Sequence, residues 1–146
     1  MPNYCKNRIS LSGPEEDIES LLNLIRSDDS LFDFENVIPT PEEYLENGKW
    51  YDWRVEYWGT KWNCSDVSIN GNSIEFLTAW SPCPPILKRL SEMFPSVKIE
   101  YEYFEPEMWF AGEGVYYNGE LAEVGVSLSD KEIMRIAEKF DHKLES

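Results

Sequence analysis

Trp50-Tyr51-Asp52-Trp53-Arg54-Val55-Glu56-Tyr57-Trp58-Gly59-Thr60-Lys61-Trp62-Asn63 holds four of the six tryptophans in the chain. Tryptophan buries a large apolar surface and is mostly found inside. The stretch therefore reads first as the centre of a core and second as an aromatic binding face. Its secondary structure decides the order of elements, and the residues admit two readings. A helix stacks Trp50, Trp53 and Tyr57 on one side, with Gly59 placed to stop it. A strand turns Tyr51, Trp53, Val55 and Tyr57 inward against Asp52, Arg54 and Glu56.

Upstream, Thr40-Pro41-Glu42-Glu43 has a capping residue, a proline and acids, so a short helix is expected to close at Asn47-Gly48. Leu31 to Pro39 reads as irregular, tied to the core by Phe32, Phe34, Val37 and Ile38. Before it, Ser12-Gly13-Pro14-Glu15-Glu16-Asp17 opens a helix over about 14–26, with Ile18, Leu21, Leu22 and Leu24/Ile25 at helical spacing. Tyr4 to Leu11 alternates as a half-buried strand, with Asn7, Ile9 and Leu11 on one face.

Downstream, Asn70-Gly71-Asn72 lies between the strand-like runs 67–69 and 73–79 and predicts a hairpin. Ser81-Pro82-Cys83-Pro84-Pro85 launches a helix whose buried stripe is Ile86, Leu87, Leu90, Met93 and Phe94, ended by Pro95. Val97 to Phe104 alternates Val97, Ile99, Tyr101 and Tyr103 against Lys98, Glu100, Glu102 and Phe104. Asn118-Gly119 predicts a second hairpin joining 108–117 to 121–128. Ser129-Asp130-Lys131-Glu132 is a capping box for a last helix that buries Ile133, Ile136, Ala137 and Phe140 and frays near His142.

With the aromatic stretch helical, the first part of the chain is βαββαβ, the order of a ferredoxin-like fold in the α+β class. Its sheet is antiparallel with helices on one face. The expectation is a single domain over 1–146, with a helical insertion at about 36–63 and an extension at about 106–146. In that extension a hairpin widens the sheet and the last helix packs on the same layer.

The 146 residues suit one core without disulfides or metals. No apolar run is long enough for a membrane span, and Met1-Pro2-Asn3-Tyr4 is unlike a signal peptide, so a cytoplasmic protein is expected. Cys5, Cys64 and Cys83 form no CxxC pair and read as small buried residues. The formal charge of −15 disfavours direct contact with nucleic acid or an anionic membrane, and favours a basic protein partner.

The charge is unevenly distributed. Eleven acids and one base, Arg26, lie between Ile9 and Gly48, and eight acids with no base lie between Ile99 and Asp130. Helix capping accounts for part of the first block, but strands gain nothing from rows of like charge. The second block therefore supplies the candidate partner-binding residues Glu100, Glu102, Glu105, Glu107 and Glu113. A candidate ligand pocket takes Asp52, Trp53, Arg54, Trp58, Lys61, Trp62 and Trp80, large aromatics with a few polar groups.

No catalytic set, metal set or cofactor motif is expected, and the reading is non-enzymatic. The one histidine, His142, stands near the C-terminus, which disfavours a His-based metal triad or a Ser-His or Cys-His nucleophilic pair. Gly112-Glu113-Gly114 lacks the strand-to-helix context of a phosphate loop. Glu100 and Glu102 share a strand face and could serve as acid and base or hold a divalent cation, but exposed strand carboxylates are common.

Taken together, Pro2-Asn3-Tyr4-Cys5-Lys6-Asn7-Arg8, Ser12 to Ile18, Trp50 to Asn63, Thr78-Ala79-Trp80-Ser81-Pro82 and Phe104-Glu105-Pro106 with Phe110-Ala111-Gly112-Glu113 resemble the YubB-like family of phage and conjugative-plasmid proteins. The resemblance implies a ferredoxin-like domain of unassigned function, expressed in a bacterial cytoplasm from a mobile element. It also favours the helical reading of the aromatic stretch. It carries over no site residues. A mobile-element setting and an acidic surface together suggest an anti-defence inhibitor whose carboxylates mimic nucleic-acid phosphates. The alternatives are a small-molecule or peptide-binding module built on the aromatic centre, and an accessory protein of the phage or plasmid.

Overall fold

The computed structural model describes residues 3–127 and 129–140. His142 and Leu128, assigned above to the ends of the last helix and last strand, lie outside them. The first strand, β1 (Tyr4–Ser12), buries alternate residues Cys5, Asn7, Ile9 and Leu11. Helix α1 (Glu15–Ile25) buries Ile18, Leu21 and Ile25, and it begins without a side-chain cap. Pro14, which has no N–H to satisfy, stands at the cap, and Glu15, Glu16 and Asp17 complement the positive helix end. Its other end is closed from outside. Asn36 Nδ2 donates to the carbonyls of Leu24 (3.1 Å) and Arg26 (3.0 Å), groups the helix itself leaves open.

A 3-10 turn (Phe34–Asn36) and helix α2 (Glu42–Glu46) lead to helix α3 (Trp50–Tyr57). The aromatic stretch is thus helical. Gly59 stops it at φ +86°, and its N–H reaches back to the Arg54 carbonyl at 3.2 Å. The strand alternative fails on burial. It would turn Tyr51, Val55 and Tyr57 inward, yet all three are nearly half exposed while Trp53 and Trp58 are buried.

Strands β2 (Ser65–Asn70) and β3 (Ser73–Ala79) form the first hairpin around Gly71-Asn72. The register of β2 is broken between Ser65 and Ser68, where Asp66 has φ +51°. Helix α4 (Pro84–Met93) places its prolines in the first turn, where their missing N–H groups cost nothing. It buries Ile86, Leu87 and Leu90. Strand β4 (Lys98–Glu105) follows, then β5 (Phe110–Tyr117) and β6 (Glu120–Ser127). Their turn, Asn118-Gly119, takes φ +56° and +78°, the mirror-image turn that Asn-Gly favours. Helix α5 (Asp130–Phe140) ends the described chain.

The six strands are ordered β2-β3-β1-β4-β5-β6, each antiparallel to its neighbours. The first four make the ferredoxin-like sheet, and the second hairpin widens it beyond β4. The main core lies on one face, where Ile9, Ile74, Phe76, Ile99 and Tyr101 meet α1, α4 and the insertion. Phe32, Phe34, Phe76 and Trp58 pack edge to face with centroids 5.0–6.2 Å apart. Each such pair adds about 0.5–1.5 kcal/mol to simple burial.

The position of α5 corrects the expectation that it shares this layer. It covers the opposite face, where Phe104 and Ala111 pack with Ile133, Ile136 and Ala137 in a second, smaller core. Phe104 stands on the face of Glu100 and Glu102, as its alternation in β4 requires, and an apolar side chain there needs its own cover.

Candidate functional site

The aromatic stretch divides into two sides with different uses. On the inner side, Arg54 lies between Trp50 and Trp58, with Cζ 5.0 and 4.7 Å from the ring centroids. Its guanidinium donates to Glu35 Oε2 (3.0 Å) and Thr40 Oγ1 (3.2 Å), and Thr40 N donates to Glu35 Oε1 (2.7 Å). Trp58 Nε1 donates to the Ile38 carbonyl (2.7 Å). These bonds tie α3 to the segment before α2 and engage the Arg54 guanidinium and the Trp58 indole N–H internally, while Trp53 is buried beside them. Asp52 is exposed on the outside of α3 and belongs to neither side's bonding. The structure therefore does not gather the candidate pocket as a unit.

On the outer side, Lys61, Trp62 and Trp80 do come together, and they bring Tyr51 with them. Lys61 Nζ is 4.3 Å from the Trp62 ring centroid, 5.6 Å from Trp80 and 5.9 Å from Tyr51. Beside it is an open cleft of about 230 Å³ lined by Tyr51, Val55, Thr60, Lys61, Ala79, Trp80 and Ser81. Its floor is fixed by bonds between chain segments. Thr60 Oγ1 donates to Ala79 O (2.8 Å), Ser81 Oγ to Gly59 O (2.6 Å) and Trp80 N to Asn3 O (2.8 Å). Trp80 is 45% exposed and held at φ +71°, a region that bulky residues rarely occupy. Tyr51 and Val55 were missed in the sequence. They stand one helical turn apart, a signal that counts only once the stretch is known to be a helix.

The candidate acidic surface is dispersed. Glu105 is fully buried and is corrected here: Oε2 accepts the Met108 N–H and organises the turn before β5, while Oε1 has no partner. Glu102 pairs with Lys139 of α5, and Glu113 pairs with Arg135 at 2.5 Å. The Arg135 guanidinium is held above its ordinary pKa by that carboxylate. Glu100 has Lys98 at 3.9 Å, and Glu107 is exposed.

The free carboxylates lie in the other block. Glu15, Glu16 and Glu19 on α1, Asp28 and Asp29 after it, and Glu42, Glu43 and Glu46 on α2 are all exposed. No ion pair engages them among the described residues. Leu31 (43% exposed) and Leu45 (49%) stand among them.

Burial pushes the Cys5 and Cys64 thiols up to about 12 and Cys83 well above its ordinary value, far from the range of a reactive thiolate. Tyr101 is likewise raised by burial, and it links the core polar groups by donating to Asn7 Oδ1 and accepting from Cys83 N. Among the described residues no group of three His, Cys, Asp or Glu side chains is placed to hold a metal ion. None of their helices is long and apolar enough to cross a membrane.

Comparison with known proteins bears on the fold. Among solved structures the chain is similar to the crystal structure of a protein api92 from Yersinia pseudotuberculosis, with a TM-score of 0.57 and 20% sequence identity. The match covers 66% of this chain and 40% of that one, so the likeness spans well under half of the larger protein. No curated protein matches. Residues 57–144, from the end of α3 onward and more than half of the sequence, match the family described as "Ferredoxin-like domain in Api92-like protein". The chain belongs to that family of ferredoxin-like domains.

Proposed function

We propose that the chain is a non-enzymatic binding protein of a mobile genetic element, a phage or plasmid protein of the YubB-like kind. It engages a basic protein of the host or of the element itself. The contact surface in this reading is the layer of α1, the loop after it and α2, rather than β4 and β5. One observation carries it: the carboxylates of that layer have no basic partner among the described residues, whereas Glu102 and Glu113 are neutralised by α5. Exposed Leu31 and Leu45, near those acids in sequence, add apolar area to that charged surface. A target that ordinarily grips phosphates fits such a surface, and an anti-defence role follows from that complementarity.

The test is capture from a bacterial lysate at low and high salt. Asp28→Lys/Asp29→Lys/Glu46→Lys is the informative variant. Two of these positions follow α1 and the third is in the last turn of α2, where a base does not oppose the helix dipole. The expected result is one partner released by salt, lost with the triple variant and retained by Glu107→Lys. Retention by the triple variant, or equal loss with Glu107→Lys, would overturn the assignment of the surface.

A further inference from the structure

We propose that the cleft between α3 and the β3–α4 turn is a binding site for a small planar anion: a flat aromatic ring carrying a phosphate or carboxylate. This cleft is separate from the acidic layer, and Lys61 stands at its head. The chain has 28 acids against 13 lysines and arginines, yet the Lys61 ammonium is within 4.0 Å of no carboxylate among the described residues and sits against three aromatic rings. The rings hold the ammonium in place, while its hydrogen-bond donors are left for an acceptor entering from the open side. Asp52 and Glu56, the acids that follow Tyr51 and Val55 in sequence, are rotated by about 100° around α3 from them and are exposed to solvent.

Trp80 supplies the second observation. It is a bulky side chain at φ +71°, and it is 45% exposed, so the strained backbone leaves a large part of the ring open beside the cleft. Strain of this kind persists where the side chain's position matters. Tyr51, across the cleft, is 48% exposed as well. Trp80 and Tyr51 are each within 6 Å of the same ammonium, they make no ring contact with each other, and the cleft of about 230 Å³ opens beside them. The size suits a single ring system. Ring faces for stacking and one cation at the head of the cleft select a flat anion over a neutral or cationic ligand.

Two sources share this chemistry, and titration distinguishes them. Tryptophan fluorescence and calorimetry would be followed against AMP, UMP, the matching nucleosides, indole-3-acetate and inorganic phosphate. The ring-bearing anions are expected to bind and to do so more tightly than either the neutral nucleosides or phosphate alone. Nucleotide binding without indole-3-acetate marks a nucleotide site, and the reverse marks an aromatic-acid site.

Lys61→Gln should weaken the anion by roughly tenfold or more while leaving the neutral nucleoside unchanged, the effect of losing one charged hydrogen bond. Trp80→Gly should abolish binding while the variant still folds, checked by circular dichroism, because glycine accepts the backbone angle even though the covered part of the ring is lost. The proposal is overturned if no ring-bearing anion binds at millimolar concentration, if Lys61→Gln binds as the natural chain does, or if Trp80→Gly binds normally. None of these variants touches α1 or α2, so this site and the acidic surface fail independently.

Discussion

Trp58 shows how one side chain fastens the insertion. Its ring is fully buried against Phe34 and Trp53, its Nε1 donates to the Ile38 carbonyl, and its face carries the Arg54 guanidinium. Trp58→Phe keeps much of the apolar volume but strands that carbonyl and removes the better cation–π partner, so a loss of about 1–3 kcal/mol is expected. Trp58→Ala opens a cavity as well and should cost about 3–5 kcal/mol. Urea denaturation of both variants measures the difference. At this scale the sequence pointed to the right residues for only some of the roles. The density of tryptophan marked the stretch as core without saying that Trp53 and Trp58, rather than Trp50 and Trp62, are the buried pair, and nothing local told Arg54 that its partner would be Glu35. Glu105 misled for a related reason: a carboxylate in an acidic run is expected to face water, and only the turn that folds the Met108 N–H back onto it gives the buried group a partner.

At the level of elements, α5 is held on its face by packing more than by charge. Ile136 is fully buried over Phe104 and Ala111, whereas the Arg135–Glu113 pair is 49% and 37% exposed at its side chains. Ile136→Ala should therefore cost about 2–5 kcal/mol and Arg135→Ala less than about 1 kcal/mol, measured by chemical denaturation. A larger effect at Arg135 would mean that the ion pair, not the small core, docks the helix. The helices and hairpins were legible because each carries local chemistry: Pro14 and three acids, Pro84-Pro85, Asn118-Gly119. The side of the sheet taken by α5 was less legible, since its apolar stripe specifies that it packs but not where. Phe104, the single large apolar residue on the charged face of β4, was the available sign. The Lys61 cleft was legible only in part, because Tyr51 joins it through the rotation of α3 and not through nearness in sequence to Trp80.

Across the whole molecule, the buried thiols and phenols set the response to alkali. Burial lifts Cys5 and Cys64 from 9.0 to about 12, and Tyr116 from 10.0 to about 12. A group raised on folding keeps its proton in the native chain after the unfolded chain has lost it. The stability these groups confer is therefore complete below pH 9, declines above it, and is gone beyond about pH 12. Denaturation midpoints should fall steadily through that window, and Cys64→Ser should flatten part of the decline. Thiol reagents should modify all three cysteines in denaturant and scarcely any in the native protein.

A sheet of this breadth has two outer margins, and the one at β2 is irregular. The interruption between Ser65 and Ser68, with Asp66 turned out of the ordinary extended backbone, spoils the even spacing of free N–H and C=O groups. An incoming ribbon from a neighbouring molecule would find its ladder broken after a few bonds and a carboxylate at the break. The β2 margin is thus a poor template for a second sheet to extend.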